Sequence, residues 1–110
     1  MECCGVLLGH GDEVVGGVRT RNLSPDPNRF LIDPEDHIRA RRDGRAQGLD
    51  VVGFYHSHPH SPAVPSETDR VEAAYPGSLY VIVSLLGVPE VRAFRLGASS
   101  LVELSVVAAP

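Results

Sequence analysis

Short apolar segments bounded by turn residues recur along the whole chain, and this pattern constrains it to a fold based on a β-sheet. Glycine, proline, asparagine and aspartate separate the segments, as is typical of strands joined by turns. The first two segments flank Gly11 and Asp12, so we expect them to pair as a hairpin. The fourth long segment is hydrophobic enough to be a central strand. We predict strands over 3–9, 13–21, 51–55, 79–86, 91–96 and 101–106, with a brief strand at 30–32.

Two helices are predicted between these strands. Asp33 is a suitable N-cap and Pro34 a suitable first residue, and two acids follow in the first turn. This helix should run to about Gln47 and end at Gly48, with its arginines on a solvated face. Ser66 resembles the N-cap of a second helix that ends near residues 76–77. The order β-β-(β)-α-β-α-β-β-β places the chain in the α/β (α+β) class, as a single mixed β-sheet flanked by helices.

Length and charge limit the classes of function. The chain has 110 residues, which fits one domain over 1–110. It contains no apolar run long enough to span a membrane and no pattern of a secretory signal, so we expect a cytoplasmic protein. The formal net charge of −4 argues against a nucleic-acid partner. The adjacent Cys3 and Cys4 cannot form a useful disulfide, and we interpret them as small apolar side chains on alternate strand faces.

His56, His58 and Asp69 form the candidate metal site. If the strand continues through His58, the two imidazoles point to the same face because side chains alternate with a period of two. Asp69 follows a proline-rich bend that can return its carboxylate to the histidine pair. Two imidazoles and one carboxylate leave a fourth tetrahedral position for water, as in catalytic zinc sites. An isolated His-x-His pair is weak evidence, and more often it has no metal.

Catalysis at such a site also needs a base, and Glu2 is the candidate because it directly precedes the first strand. Taken singly, Glu2 is an ordinary solvated glutamate and Ser66 an ordinary helix cap. Among the other histidines, we predict that His10 and His37 lie on the surface. His60 fits no ligand position. It is either an ordinary loop residue or a residue that contacts the substrate.

Together these residues resemble a known signature. A glutamate opens the apolar segment 2–9, and His56-Ser57-His58 is followed after seven residues by Ser66 and after two more by Asp69. This arrangement is similar to the motif of the JAMM (MPN-plus, JAB-type) zinc metalloproteases, in particular their small prokaryotic branch. The resemblance implies a cytidine-deaminase-like MPN/JAMM domain that binds Zn²⁺.

The resemblance also implies a role for each residue. His56, His58 and Asp69 would bind zinc, Glu2 would be the general base, and Ser66 would donate a hydrogen bond to the oxyanion. Ser57, on the opposite strand face, would be structural.

By the same resemblance, the substrate would be a ubiquitin-like or sulfur-carrier protein, cleaved at the amide bond after its Gly-Gly tail. Two alternatives stay open: a non-catalytic MPN scaffold, and a DNA-repair-associated JAB domain, which the acidic charge disfavours. Family members usually carry a strand and a helix before the catalytic glutamate. Because Glu2 lies at the start of this sequence, we expect the domain to lack this strand and helix. The apolar surface that they would cover should then be exposed and favour association as a homodimer.

Overall fold

The computed structural model describes residues 3–26, 29–66, 77–97 and 100–107. These residues form one six-stranded mixed sheet of order β2-β1-β3-β4-β5-β6 and one helix. Strands β3 and β4 are parallel, and every other neighbouring pair is antiparallel. The predicted fold class is therefore confirmed. The elements are β1 (Cys4–His10), β2 (Glu13–Thr20), α1 (Pro34–Ala46), β3 (Asp50–His58), β4 (Leu79–Ser84), β5 (Glu90–Leu96) and β6 (Leu101–Leu104).

The strand bounds differ from the predictions by one residue in β1, β2 and β5 and by more elsewhere, with β6 ending at Leu104 instead of residue 106. Strand β3 continues through His58 instead of ending at residue 55, because it is paired on both sides: Cys4 of β1 faces His56 and Ser84 of β4 faces His58. Strand β4 ends at Ser84, two residues earlier than predicted. The brief strand expected at 30–32 is reduced to an isolated bridge between Asn22 and Ile32.

Helix α1 has the predicted bounds because its signals are local. The carboxylate of Asp33 accepts a hydrogen bond from the backbone N–H of Glu35 at 2.9 Å, which satisfies one N-terminal donor. Gly48 has φ of +77°, a conformation that glycine adopts without strain after a helix. The arginines of α1 are exposed, as predicted. No helix in the described parts of the chain is long and apolar enough to cross a membrane. The second helix, predicted after Ser66, falls on residues 67–76, outside the described residues.

The core lies between α1 and the sheet face that also carries the histidine pair. Its buried members are Val6, Ala40, Phe54, Ala63, Tyr80, Ile82 and Phe94. His37 of α1 contacts the edge of the Phe54 ring with centroids 5.4 Å apart, so this half-buried histidine is not the surface residue we predicted. Burial, and secondarily the positive charge of Arg41, lowers the pKa of His37. His10 is exposed, as expected.

The two cysteines lie on opposite sides of the start of the sheet. Cys4 is fully buried, whereas Cys3 is exposed, and both are free thiols. The alternation of the two side chains between strand faces was predicted correctly. The exposure of Cys3 does not follow from the interpretation of both cysteines as small apolar side chains. The backbone of Cys3, not its packing, gives this residue a role at the site described below.

Candidate metal centre

His56 and His58 lie side by side on one face of β3. They alternate with Tyr55 and Ser57, and both imidazoles are buried, with 2% and 3% of their surface exposed. Their Nε2 atoms are 3.1 Å apart. The expected same-face arrangement is therefore confirmed, and the pair is much closer than alternation alone requires.

The loop after β3 determines which nitrogen of His58 carries a proton. Nδ1 of His58 lies 2.8 Å from the carbonyl oxygen of Pro62. Because a carbonyl only accepts hydrogen bonds, Nδ1 must be the protonated nitrogen, and Nε2 keeps its lone pair. A backbone carbonyl that orients a histidine in this way is a common outer partner of metal-binding histidines.

Phe30 fixes the plane of the other imidazole. Its ring stacks on His56 with centroids 4.3 Å apart and an interplanar angle of 18°. We did not predict this contact, because Phe30 was assigned to a brief strand that begins 26 positions before His56. A large aromatic residue directly after a polar loop rich in proline and asparagine was the signal that could have suggested it.

The loop 59–66 is fastened to β4. The hydroxyl of Ser84 donates to the carbonyl oxygen of Ser61 at 2.6 Å and accepts from the backbone N–H of Leu86 at 3.2 Å. Ala63 is fully buried in the core. These contacts hold the carbonyl of Pro62 against His58. We did not predict a role for Ser84, although a serine at the end of an apolar strand is a recognisable signal.

The histidine pair fits a zinc ion. Two nitrogens bound to tetrahedral zinc at 2.0–2.1 Å are separated by about 3.3 Å, and the observed Nε2–Nε2 distance is 3.1 Å. Within the described ranges, no third histidine, cysteine, aspartate or glutamate completes a cluster with them. The predicted third ligand, Asp69, and the predicted base, Glu2, lie outside those ranges, so both assignments stay predictions. Ser66 is described and exposed, and its proposed role as oxyanion donor also stays a prediction.

A cleft of about 590 Å³ opens beside the histidines. Phe30 is both part of its lining and the stacking partner of His56, so this side chain links the cleft to the candidate metal centre. Most of its remaining wall is apolar and comes from Leu31, Ile32, Phe54 and Tyr80. Its size is in the range typical of ligand-binding pockets. His60, in contrast, is exposed in the loop after β3.

A mixed sheet whose central strand presents a buried His-x-His pair is the arrangement that the signature residues led us to expect for a JAB/MPN-type domain. Comparison with protein families agrees: residues 1–97 match the model described as prokaryotic homologs of the JAB domain. The chain belongs to this family. The resemblance inferred from the signature residues is thus confirmed.

Three of the relatives that the chain matches are named as enzymes. The chain is 42% identical over 86 residues to a desampylase of Haloferax volcanii, covering 76% of this chain and 62% of the relative. It is 38% identical over 87 residues to a probable TtuB-protein conjugate cleaving protease of Thermus thermophilus, covering 78% and 56%. It is 32% identical over 85 residues to a CysO-cysteine peptidase of Mycobacterium tuberculosis, covering 76% and 58%. The chain thus spans 56% to 62% of the length of these three relatives.

Solved structures show the same fold. A solution structure of a protein from Desulfitobacterium hafniense superimposes with a TM-score of 0.87 at 32% identity, covering 96% of this chain and 77% of that one. A protein from Salinibacter ruber gives a TM-score of 0.74 at 39% identity, covering 99% and 78%.

Proposed function

We propose that this chain is a zinc-dependent JAMM-type isopeptidase that cleaves the amide bond after the Gly-Gly tail of a ubiquitin-like or sulfur-carrier protein. The observation that carries the proposal is the buried pair of Nε2 atoms 3.1 Å apart, with the lone pair of His58 made available by the Pro62 carbonyl. The names of the relatives support the substrate class, since one is a probable protease that cleaves TtuB-protein conjugates, one a CysO-cysteine peptidase and one a desampylase. The proposed domain spans residues 1–110.

In this proposal His56, His58 and Asp69 hold the metal. Zinc bound there supplies a Lewis acid that lowers the pKa of a water molecule and polarises the scissile carbonyl. Glu2 removes the proton of the attacking water and passes it to the leaving amine. Ser66 donates a hydrogen bond to the oxygen on which negative charge develops.

The cleft that Phe30 helps to line supports a peptide substrate. Its volume of about 590 Å³ is large enough for several residues of a tail, and Phe30 also stacks on His56. The ligand positions of the signature are all filled in this chain, by His56, His58 and Asp69. Because a scaffold that does not bind a metal has no need of these ligands, the filled signature favours the enzyme over the scaffold.

Metal content tests the ligand set. We expect about one zinc per chain in protein purified without chelators, and a loss of most of it in His58→Ala and in Asp69→Ala, because each removes one of three ligands. His60→Ala is the matched control: it removes an exposed histidine two residues from His58 and should keep the metal. Retention of more than half of the zinc in both ligand variants would contradict the assignment.

Cleavage of a carrier-protein conjugate tests the reaction. Glu2→Gln should keep the zinc and lower turnover by at least about 10²-fold, because glutamine cannot accept the proton of the attacking water. Glu13→Gln, at the exposed start of β2, makes the same chemical change away from the histidines and should leave turnover unchanged. A parent protein that binds zinc but cleaves no conjugate would support the scaffold instead.

A further inference from the structure

Ser57, the residue between the two metal-binding candidates, is joined twice to the start of β1. Its backbone N–H donates to the carbonyl oxygen of Cys3 at 2.9 Å, and its hydroxyl accepts from the backbone N–H of Cys3 at 2.8 Å. Its side chain leaves β3 on the face opposite to the imidazoles. Ser57 therefore cannot bind the metal, yet it contacts the residue that follows Glu2.

The strand register shows why this contact matters. Cys4 is paired with His56 in the antiparallel ladder between β1 and β3. Continued by one residue in each direction, the ladder sets Cys3 opposite Ser57, where both hydrogen bonds occur. The contact therefore acts on the residue that links β1 to Glu2, the proposed base.

The hydroxyl of Ser57 acts just beyond the end of the regular ladder. The ladder between β1 and β3 ends at the Cys4–His56 pair, and the two bonds to Ser57 join the backbone of Cys3 to β3 beyond that point. The Cα of residue 2 is only about 3.8 Å from that of Cys3, so fixing Cys3 restricts the range of Glu2. A general base must lie within about 2.6–3.2 Å of the proton it abstracts, and a displacement of about 1 Å at such a group lowers the rate by as much as about 10²-fold.

We infer that Ser57 is a positioning residue that holds the start of β1, and through it Glu2, beside the histidine pair. The inference rests on the proposed function, in which Glu2 is the base. In this inference the Ser57 hydroxyl positions the base, whereas the histidines bind the metal. Loss of the hydroxyl should affect the base and leave the metal in place.

The test compares Ser57→Ala with Ser57→Thr. Alanine removes the acceptor but leaves the Ser57 N–H bond to Cys3, whereas threonine keeps the hydroxyl and suits a strand. For Ser57→Ala we expect the zinc content to be unchanged and KM to stay within two-fold of the parent. We expect kcat to fall by about 10-fold, and hydrogen exchange of the Cys3 amide, measured by NMR, to be at least about 10-fold faster. Ser57→Thr should restore both kcat and amide protection. Val102→Ala, on the far edge strand β6, is the control for a general loss of stability and should change neither.

Three results would overturn the inference: unchanged exchange of the Cys3 amide in Ser57→Ala, a kcat within two-fold of the parent, or zinc loss in proportion to the loss of activity. A parent that lacks zinc or cleaves no conjugate contradicts the proposed function, and that result is distinct. In that case hydrogen exchange of the Cys3 amide alone tests whether Ser57 anchors the start of β1. Faster exchange in Ser57→Ala together with protection in Ser57→Thr supports the anchoring, and equal exchange in all three proteins refutes it.

Discussion

The hydroxyl of Ser84 should contribute both to the free energy of unfolding and to the affinity for zinc, and Ser84→Ala measures the two contributions. The side chain is 3% exposed at the end of β4, beside His58 in the parallel register. It donates to the carbonyl of Ser61 and accepts from the N–H of Leu86, so alanine removes two hydrogen bonds at once. The bond to Ser61 holds the loop that supplies the Pro62 carbonyl to His58, and the bond from Leu86 holds the turn after β4.

The expected loss follows from these two bonds. Each intramolecular hydrogen bond contributes about 0.5–1.5 kcal/mol net, so their removal should lower the free energy of unfolding by about 2 kcal/mol. For a domain of this length, that change corresponds to a fall in Tm of about 8 °C. Relaxation of the loop would also weaken the contact that orients His58, and loss of such an outer contact typically lowers metal affinity by about 10-fold or more.

Two measurements check this prediction: thermal unfolding of the zinc-free protein, and zinc affinity by competition with a chromophoric chelator. Ser105→Ala, which removes an exposed hydroxyl after β6, is the matched control and should stay within about 0.5 kcal/mol of the parent. A fall in Tm of less than about 2 °C for Ser84→Ala would show that the loop does not depend on the hydroxyl. Unchanged zinc affinity despite the expected destabilisation would separate loop stability from the orientation of His58.

Two further predictions concern the framework around the site. In Gly53→Ala the added Cβ would lie 2.3 Å from the carbonyl oxygen of Leu79 on the neighbouring strand. Because such overpacking is destabilising, the free energy of unfolding measured by chemical denaturation should fall by about 1–3 kcal/mol. A variant as stable as the parent would refute this prediction. The backbone N–H and guanidinium of Arg21 hold the pKa of Asp36 below its ordinary value of 3.8. The carboxylate therefore contributes stability that is fully present above pH 3.8 and is lost as the pH falls through the lower pKa of the folded state. Asp36→Asn should be less stable than the parent at neutral pH, and the difference should disappear in acid; a difference independent of pH would contradict the ionic origin.

Features that depend on neighbouring residues could be predicted from the sequence. The bounds of α1 follow from Asp33, Pro34 and Gly48, because capping and chain reversal act within one helical turn. The shared face of His56 and His58 follows from the two-residue period of a strand. The family also follows, since fixed spacings of polar residues identify it without coordinates. Strand ends were less predictable: β3 reaches His58 only because β1 and β4 flank it.

By itself, then, the sequence determined the order of the six strands and α1, the family and the choice of candidate ligands. Only the tertiary structure decided how these groups meet. The 3.1 Å separation of the Nε2 atoms, the protonated nitrogen of His58 and the stacking of Phe30 on His56 depend on segments that approach through the sheet and its loops. The bond between Ser57 and Cys3 joins residues 54 positions apart. Such contacts are set by long-range strand pairing and packing, which local propensity and spacing do not encode.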